Sequence, residues 1–129
     1  MQDAIRKVQQ FHKAFGVPVA EAPVGAIPAE LRALRISLLE EELEEYKLAS
    51  AAGDIVAVAD ALTDLAYVLF GTYVTHGLQE VADALFDEVQ RSNMSKLDEN
   101  GRPIYREDGK VLKSAQFSAP DLGAILGQF

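Results

Sequence analysis

The reading of this chain is decided by Leu38-Leu39-Glu40-Glu41-Glu42-Leu43-Glu44-Glu45-Tyr46-Lys47 and by Asp60-Ala61-Leu62-Thr63-Asp64 downstream. Five carboxylates occupy six positions of an otherwise apolar helix. At about 100° per residue, Leu31, Leu34, Leu38 and Ala49 mark one face of that helix. Glu41, Glu42 and Glu45 fall on the same side, with Glu41 at its edge. Glu40 and Glu44 fall on the far side, near Ala33, Ser37 and Lys47. Two glutamates therefore read as solvated charges and three as acids placed where core is expected.

Inward carboxylates are costly unless paired or bound to a cation. Between residues 40 and 64 the one basic residue is Lys47, on the outer face. Arg35, at the flank, reaches at most one glutamate. Asp60 and Asp64, spaced i,i+4, share a face of the next helix. Oxygen ligands with so little basic compensation suit a hard cation, Mg²⁺ or Mn²⁺. The alternative is an acidic helix whose charges are all solvated.

Outward from this stretch, the 129 residues suffice for one domain, residues 1–129. Within it the sequence predicts a helical core over 1–92 and a tail over 93–129. Half the residues are hydrophobic and none is cysteine, which excludes disulfides and thiol ligands and fits a cytoplasmic protein. No apolar run approaches a membrane span, and the N-terminus lacks the order of a signal peptide. With a net charge of -8 the chain is a poor binder of nucleic acid. Half of its twelve basic residues lie in 91–113, giving an acidic middle and a basic tail. A small polyanion, bridged by metal to the acids and gripped by the tail, would use both.

A helix is predicted over 2–15 from Ile5, Val8, Phe11 and Phe15, with Gly16 as its stop. His12 is either a packed residue or a base-contacting group. Residues 16–27 form a loop restrained by Pro18 and Pro23. Helix two runs from about 28 to 52, and Gly53 ends it. Asp54 caps helix three, about 54–76. So short a link forces an antiparallel hairpin. Glu45 lies eight residues before Gly53 and Asp60 seven after it; Glu41 and Asp64 lie twelve before and eleven after. The acids of both helices are thereby brought to similar heights.

Helix three is apolar almost all round, with Ile55, Val58, Leu62, Ala66, Leu69 and Phe70 away from its acids. Such a helix needs burial on every side, so an intermolecular bundle is expected. Gly71 and Thr75 would permit a neighbour's close approach. Tyr67, one turn past Asp64, is a candidate ligand contact or a core residue. Helix four is predicted over about 79–92, with Val81, Leu85 and Val89 inward. Asp87 and Glu88 are either solvated or supporting acids. Asp108-Gly109 sits between Ile104-Tyr105-Arg106 and Lys110-Val111-Leu112-Lys113, the pattern of a short hairpin. Pro120-Asp121 opens a last helical turn ending near Gln128.

These pieces resemble a known family. Glu41-Glu42-x-x-Glu45 followed by Asp64-Leu65-x-Tyr67 is similar to the all-α nucleoside triphosphate pyrophosphohydrolases. That superfamily includes MazG proteins, dimeric dUTPases and phosphoribosyl-ATP pyrophosphohydrolase. Phe11-His12-x-x-Phe15-Gly16, Gly71-Thr72, His76-Gly77, Asn93-Met94-Ser95-Lys96, Gly109-Lys110-x-x-Lys113 and Pro120-Asp121-Leu122 extend the likeness to its small MazG-like branch. One departure stands out. The family pattern commonly ends Glu-x-x-Asp, whereas here Ala61 lies three before Asp64 and the acid is Asp60.

The resemblance implies an all-α, four-helix antiparallel protomer with a short C-terminal β-hairpin tail, assembled as a homodimer or homotetramer. It implies a (d)NTP substrate cleaved to (d)NMP and pyrophosphate, with two or more Mg²⁺ or Mn²⁺ ions per site. It also implies metal ligation by Glu41, Glu42, Glu45 and Asp64, with Asp60 the least certain ligand. Glu41 or Glu42 would take the proton of the attacking water. Lys96, Lys110, Lys113 and Arg91 are candidates for the phosphates, and Asn93 for a base edge. Phosphoribosyl-ATP hydrolysis and a non-catalytic helical oligomer are the alternative readings.

Overall fold

The computed structural model of the chain describes residues 1–127. Its described residues form α1 (Gln2–Phe15), α2 (Ala29–Ala52), α3 (Ile55–Thr75), α4 (Ala82–Met94), β1 (Ile104–Tyr105), β2 (Val111–Leu112) and α5 (Leu122–Leu126). The all-α expectation with a small hairpin tail holds. Gln128, where the last turn was expected to end, lies outside the described residues. The chain divides into two compact units, the first ending at Glu80 and the second beginning at Val81.

In the first unit, α1 and α2 both pack on α3. Helix α1 presents Ile5, Val8 and His12 as its buried stripe, and Gly16 closes it in the left-handed conformation. The α2–α3 hairpin turns on two residues. Gly53 has φ 69°, open to glycine without strain, and its N–H reaches the carbonyls of Ala49 and Ser50. Asp54 then accepts from the amides of Val56 and Ala57, the N-cap its position predicts. The loop before α2 is laced to the end of α3. The amides of Ala20 and Val24 donate to the carbonyls of Val74 and His76, and Gln79 Nε2 donates to Ala20.

The inward face of α2 is not purely apolar. Arg35 is buried, donating from Nη2 to the Val68 carbonyl at 2.8 Å and from Nε to Thr72 Oγ1 at 3.2 Å. Gly71 makes room for it, because a Cβ there would stand 2.4 Å from Arg35 Nη2 and 2.9 Å from His12 Nε2. This corrects the sequence expectation that Gly71 and Thr75 admit a neighbouring molecule. The neighbours at Gly71 are α1 and α2 of the same chain, and Thr75 is buried with its hydroxyl on the Gly71 carbonyl.

The first unit covers little of α3. Among its residues Ala61, Gly71, Val74 and Thr75 are buried, whereas Ile55 and Val56 are each 75 % exposed. Helix α3 is also long and apolar enough to cross a membrane, contrary to the expectation that no stretch approaches that length. Composition hid this, because Asp60 and Asp64 interrupt the apolar run without lowering its average far. Two carboxylates in the middle of a lipid-facing helix would be expensive.

In the second unit α4 packs with α5. Helix α4 starts three residues later than expected, at Ala82, with Val81 as its N-cap. Ala82, Leu85 and Ser92 are buried there, and Phe86 and Val89 are exposed. The hairpin pairs Ile104 with Leu112 and Tyr105 with Val111. The remaining cohesion is polar: Ser114 Oγ donates to the carbonyls of Ser95 and Leu97, and the Ser118 amide donates to Ser95 Oγ.

Gly71→Ala is expected to cost about 1–3 kcal/mol by crowding the guanidinium. Urea unfolding measures it. The cost should shrink in an Arg35→Ala background, and an equal cost in both backgrounds would show that Arg35 is not what the added methyl meets.

Candidate metal centre

The centre is built on facing turns of α2 and α3. The half-buried or buried positions of α2 include Arg35, Leu38, Leu39, Glu42, Tyr46 and Ala49. That stripe puts Glu42 in the middle, Glu45 beside it and Glu41 at the exposed edge. Glu42, Glu45 and Asp64 each bring a carboxylate oxygen within 4.8 Å of the other two. Counted from Gly53, Glu42 and Asp64 are each eleven residues away, so the hairpin link alone sets their common height.

Asp60 and Glu41 flank this trio. Asp60 and Glu45 line one cleft of about 370 Å³ with Leu48, Ala49, Ala57 and Ala61. The register expected for Glu45 and Asp60 is thus observed. Glu41 is close enough to Glu42 to act on it electrostatically. Glu44 is exposed and pairs with Lys47 at 3.7 Å, as a solvated charge would. Glu40 is likewise exposed.

The carboxyl of Glu42 carries the strain of this arrangement. Its Oε2 is buried without a hydrogen-bond partner. Desolvation raises its pKa first. The neighbouring Glu45, as hydrogen-bond partner and as charge, raises it further, followed by Asp64 and Glu41. Among the described residues none of the trio is ion-paired. Arg35, expected to reach one glutamate, instead gives its hydrogen bonds to α3. A desolvated, partnerless carboxylate oxygen among two further carboxylates is the donor set that a hard divalent cation takes.

The other expected contact residues fall in different places. Tyr67 is 40 % exposed, one turn past Asp64. His12 is buried with Nδ1 3.1 Å from the Pro18 carbonyl, so Nδ1 carries the hydrogen. Burial lowers its pKa, with the Arg35 charge a smaller contributor. It is the packed residue of its two readings. Arg91, Asn93, Lys96, Lys110 and Lys113 all belong to the second unit. The Arg91 fork holds Glu88 at 2.7 and 2.9 Å, and Nη2 also reaches the Ala119 carbonyl. That pairing, followed by the Asp121 amide, draws the Glu88 pKa down to about 2. Lys113 Nζ lies 4.7 Å over the Phe117 ring. Asn93 and Lys110 are exposed and Lys96 is half-buried.

The sequence model of phosphoribosyl-ATP pyrophosphohydrolase matches residues 8–93, which run from the middle of α1 to nearly the end of α4. The chain belongs to the phosphoribosyl-ATP pyrophosphohydrolase family. As a member, it is a hydrolase of phosphoric anhydrides that acts on a nucleotide derivative. The whole carboxylate trio of this pyrophosphohydrolase lies inside the matched segment, and the hairpin tail lies outside it. No curated protein sequence matches the chain significantly.

The raised Glu42 pKa fixes a sign. With the folded value above the unfolded one, charged Glu42 destabilises the metal-free protein above the folded pKa. That penalty is relieved as pH falls through it toward the unfolded value. Glu42→Gln is therefore expected to raise the metal-free Tm by about 3 °C at pH 8 and to flatten its rise on acidification between pH 8 and 5. Differential scanning calorimetry checks both. A lower Tm for the variant would mean that Glu42 is not strained.

Proposed function

We propose that the trio holds Mg²⁺ or Mn²⁺ and that the protein hydrolyses the bond between the α and β phosphates of a nucleotide, releasing pyrophosphate. The observation behind this reading is the partnerless Oε2 of Glu42 within a triad of carboxylates. Glu42, Glu45 and Asp64 would hold the cation, with Glu41 and Asp60 beside them. Two or more ions per site fit so many carboxylates. Bound there, such ions would screen the phosphates, lower the pKa of a bound water and stabilise the leaving pyrophosphate.

The side chains do the remaining work. Glu41 is exposed at the edge of the trio and is the better placed of the two glutamates to take a proton from attacking water. Glu42, half-buried between Glu45, Asp64 and Glu41, is the alternative base.

Family membership favours phosphoribosyl-ATP as the substrate over the (d)NTP first expected from the sequence. A (d)NTP is the second reading. It is supported by the position of the hairpin tail, which begins only after the family match ends at residue 93. The exposed apolar surface of α3, with two acids that disfavour lipid, supports a homodimer or homotetramer. No role for nucleic acid or membrane is proposed.

Pyrophosphate release from phosphoribosyl-ATP and from each dNTP, with Mg²⁺ or Mn²⁺, tests the reading. Glu45→Gln and Asp64→Asn are expected to lower kcat by at least about a hundredfold, and Glu40→Gln and Glu44→Gln by less than about twofold. Full activity in both of the first pair would remove them from the centre.

A further inference from the structure

Three aromatic rings stand on the surface of the first unit. Phe11 is 41 %, Phe15 71 % and Tyr67 40 % exposed. Phe11 and Phe15 stack with centroids 4.5 Å apart and planes tilted by 32°. Phe11 meets Tyr67 edge to face at 5.7 Å. Tyr67 also walls a cleft of about 150 Å³ between α1 and α3, lined by Lys7, Val8, Thr63, Ala66 and Phe70.

The direction of the ladder matters. Helix α1 runs antiparallel to α3: Gln2 bonds to the carbonyl of Gln79, and Phe11 lies at Tyr67. The next turn of α1 therefore carries Phe15 towards the height of Thr63 and Asp64. On α3, Tyr67 shares the side of Asp60 and Asp64, one turn of about 5.4 Å further along. The rings thus border the trio, where a nucleotide anchored by its phosphates would lay its base.

We propose that Phe11, Phe15 and Tyr67 seat the nucleobase, and that the base is held by ring stacking rather than by reading of its edges. This rests on the nucleotide reading above. Every base has a π-face, so a stacking seat accepts several bases and favours the larger ring of a purine. The three positions carry only one polar atom, the Tyr67 hydroxyl, with which to tell one base edge from another.

The test uses the full chain with Mn²⁺ and three non-hydrolysable probes followed by calorimetry: α,β-methylene-ATP, α,β-methylene-CTP and the base-free methylenediphosphonate. The purine probe should bind the unaltered protein more tightly than the pyrimidine one. Phe15→Leu and Tyr67→Leu should weaken the purine probe about tenfold and leave methylenediphosphonate within twofold, whereas Tyr67→Phe should behave as the unaltered protein. Unchanged purine binding in both leucine variants overturns the seat while sparing the nucleotide reading. So does equal weakening of all probes with a change of mass in light scattering, which would assign the rings to contact between copies. If the unaltered protein binds no probe with Mn²⁺, the seat falls, and pyrophosphate release from phosphoribosyl-ATP separately decides the nucleotide reading.

Discussion

Three carboxylates within 4.8 Å of one another repel, and the α2–α3 hairpin holds them there. In a partly solvated setting each charged pair at such a distance costs about 1–3 kcal/mol. That is a sizeable share of the stability of a small domain. Nothing basic in the first unit offsets it: Lys47 turns outward to Glu44, and Arg35 spends its donors on Val68 and Thr72. A divalent cation offsets the repulsion directly. The hairpin therefore keeps a concentration of negative charge at its centre.

How well the sequence foretold this varies with the kind of signal. The ends of α1 and α3 were legible because each carries a local device, Gly16 as a left-handed stop and Asp54 as an N-cap. The heights of Glu45 and Asp60 followed from the length of the link. The inward phase of α2 was read from leucines, and the leucines misled slightly. Leu34 is exposed, and the stripe is centred on Arg35 and Glu42 instead. A buried arginine leaves no periodic signal of its own. The missing Cβ of Gly71 was the one trace of it, and in sequence that trace looks the same as an opening for another helix.

The tail was less legible still. Basic residues in 91–113 suggested a grip on phosphates, but charge composition does not say which charges are already spoken for. Arg91 is held by Glu88 three residues earlier, and Arg106 is paired with Asp108. The aromatic ladder was hidden for the opposite reason. Phe11 and Phe15 fit a core stripe by spacing, and only the packing of α1 on α3 leaves them at the surface.

The two-residue link at Gly53 and Asp54 works as a ruler for the centre. Each residue gained or lost there would turn α3 by about 100° against α2 and swing Asp64 out of the trio. Loops elsewhere, such as residues 17–27, answer to no such angle. Over evolutionary time, insertions and deletions should therefore accumulate in those loops and be purged from this corner. Its length, more than its composition, is the heritable part of the carboxylate cluster.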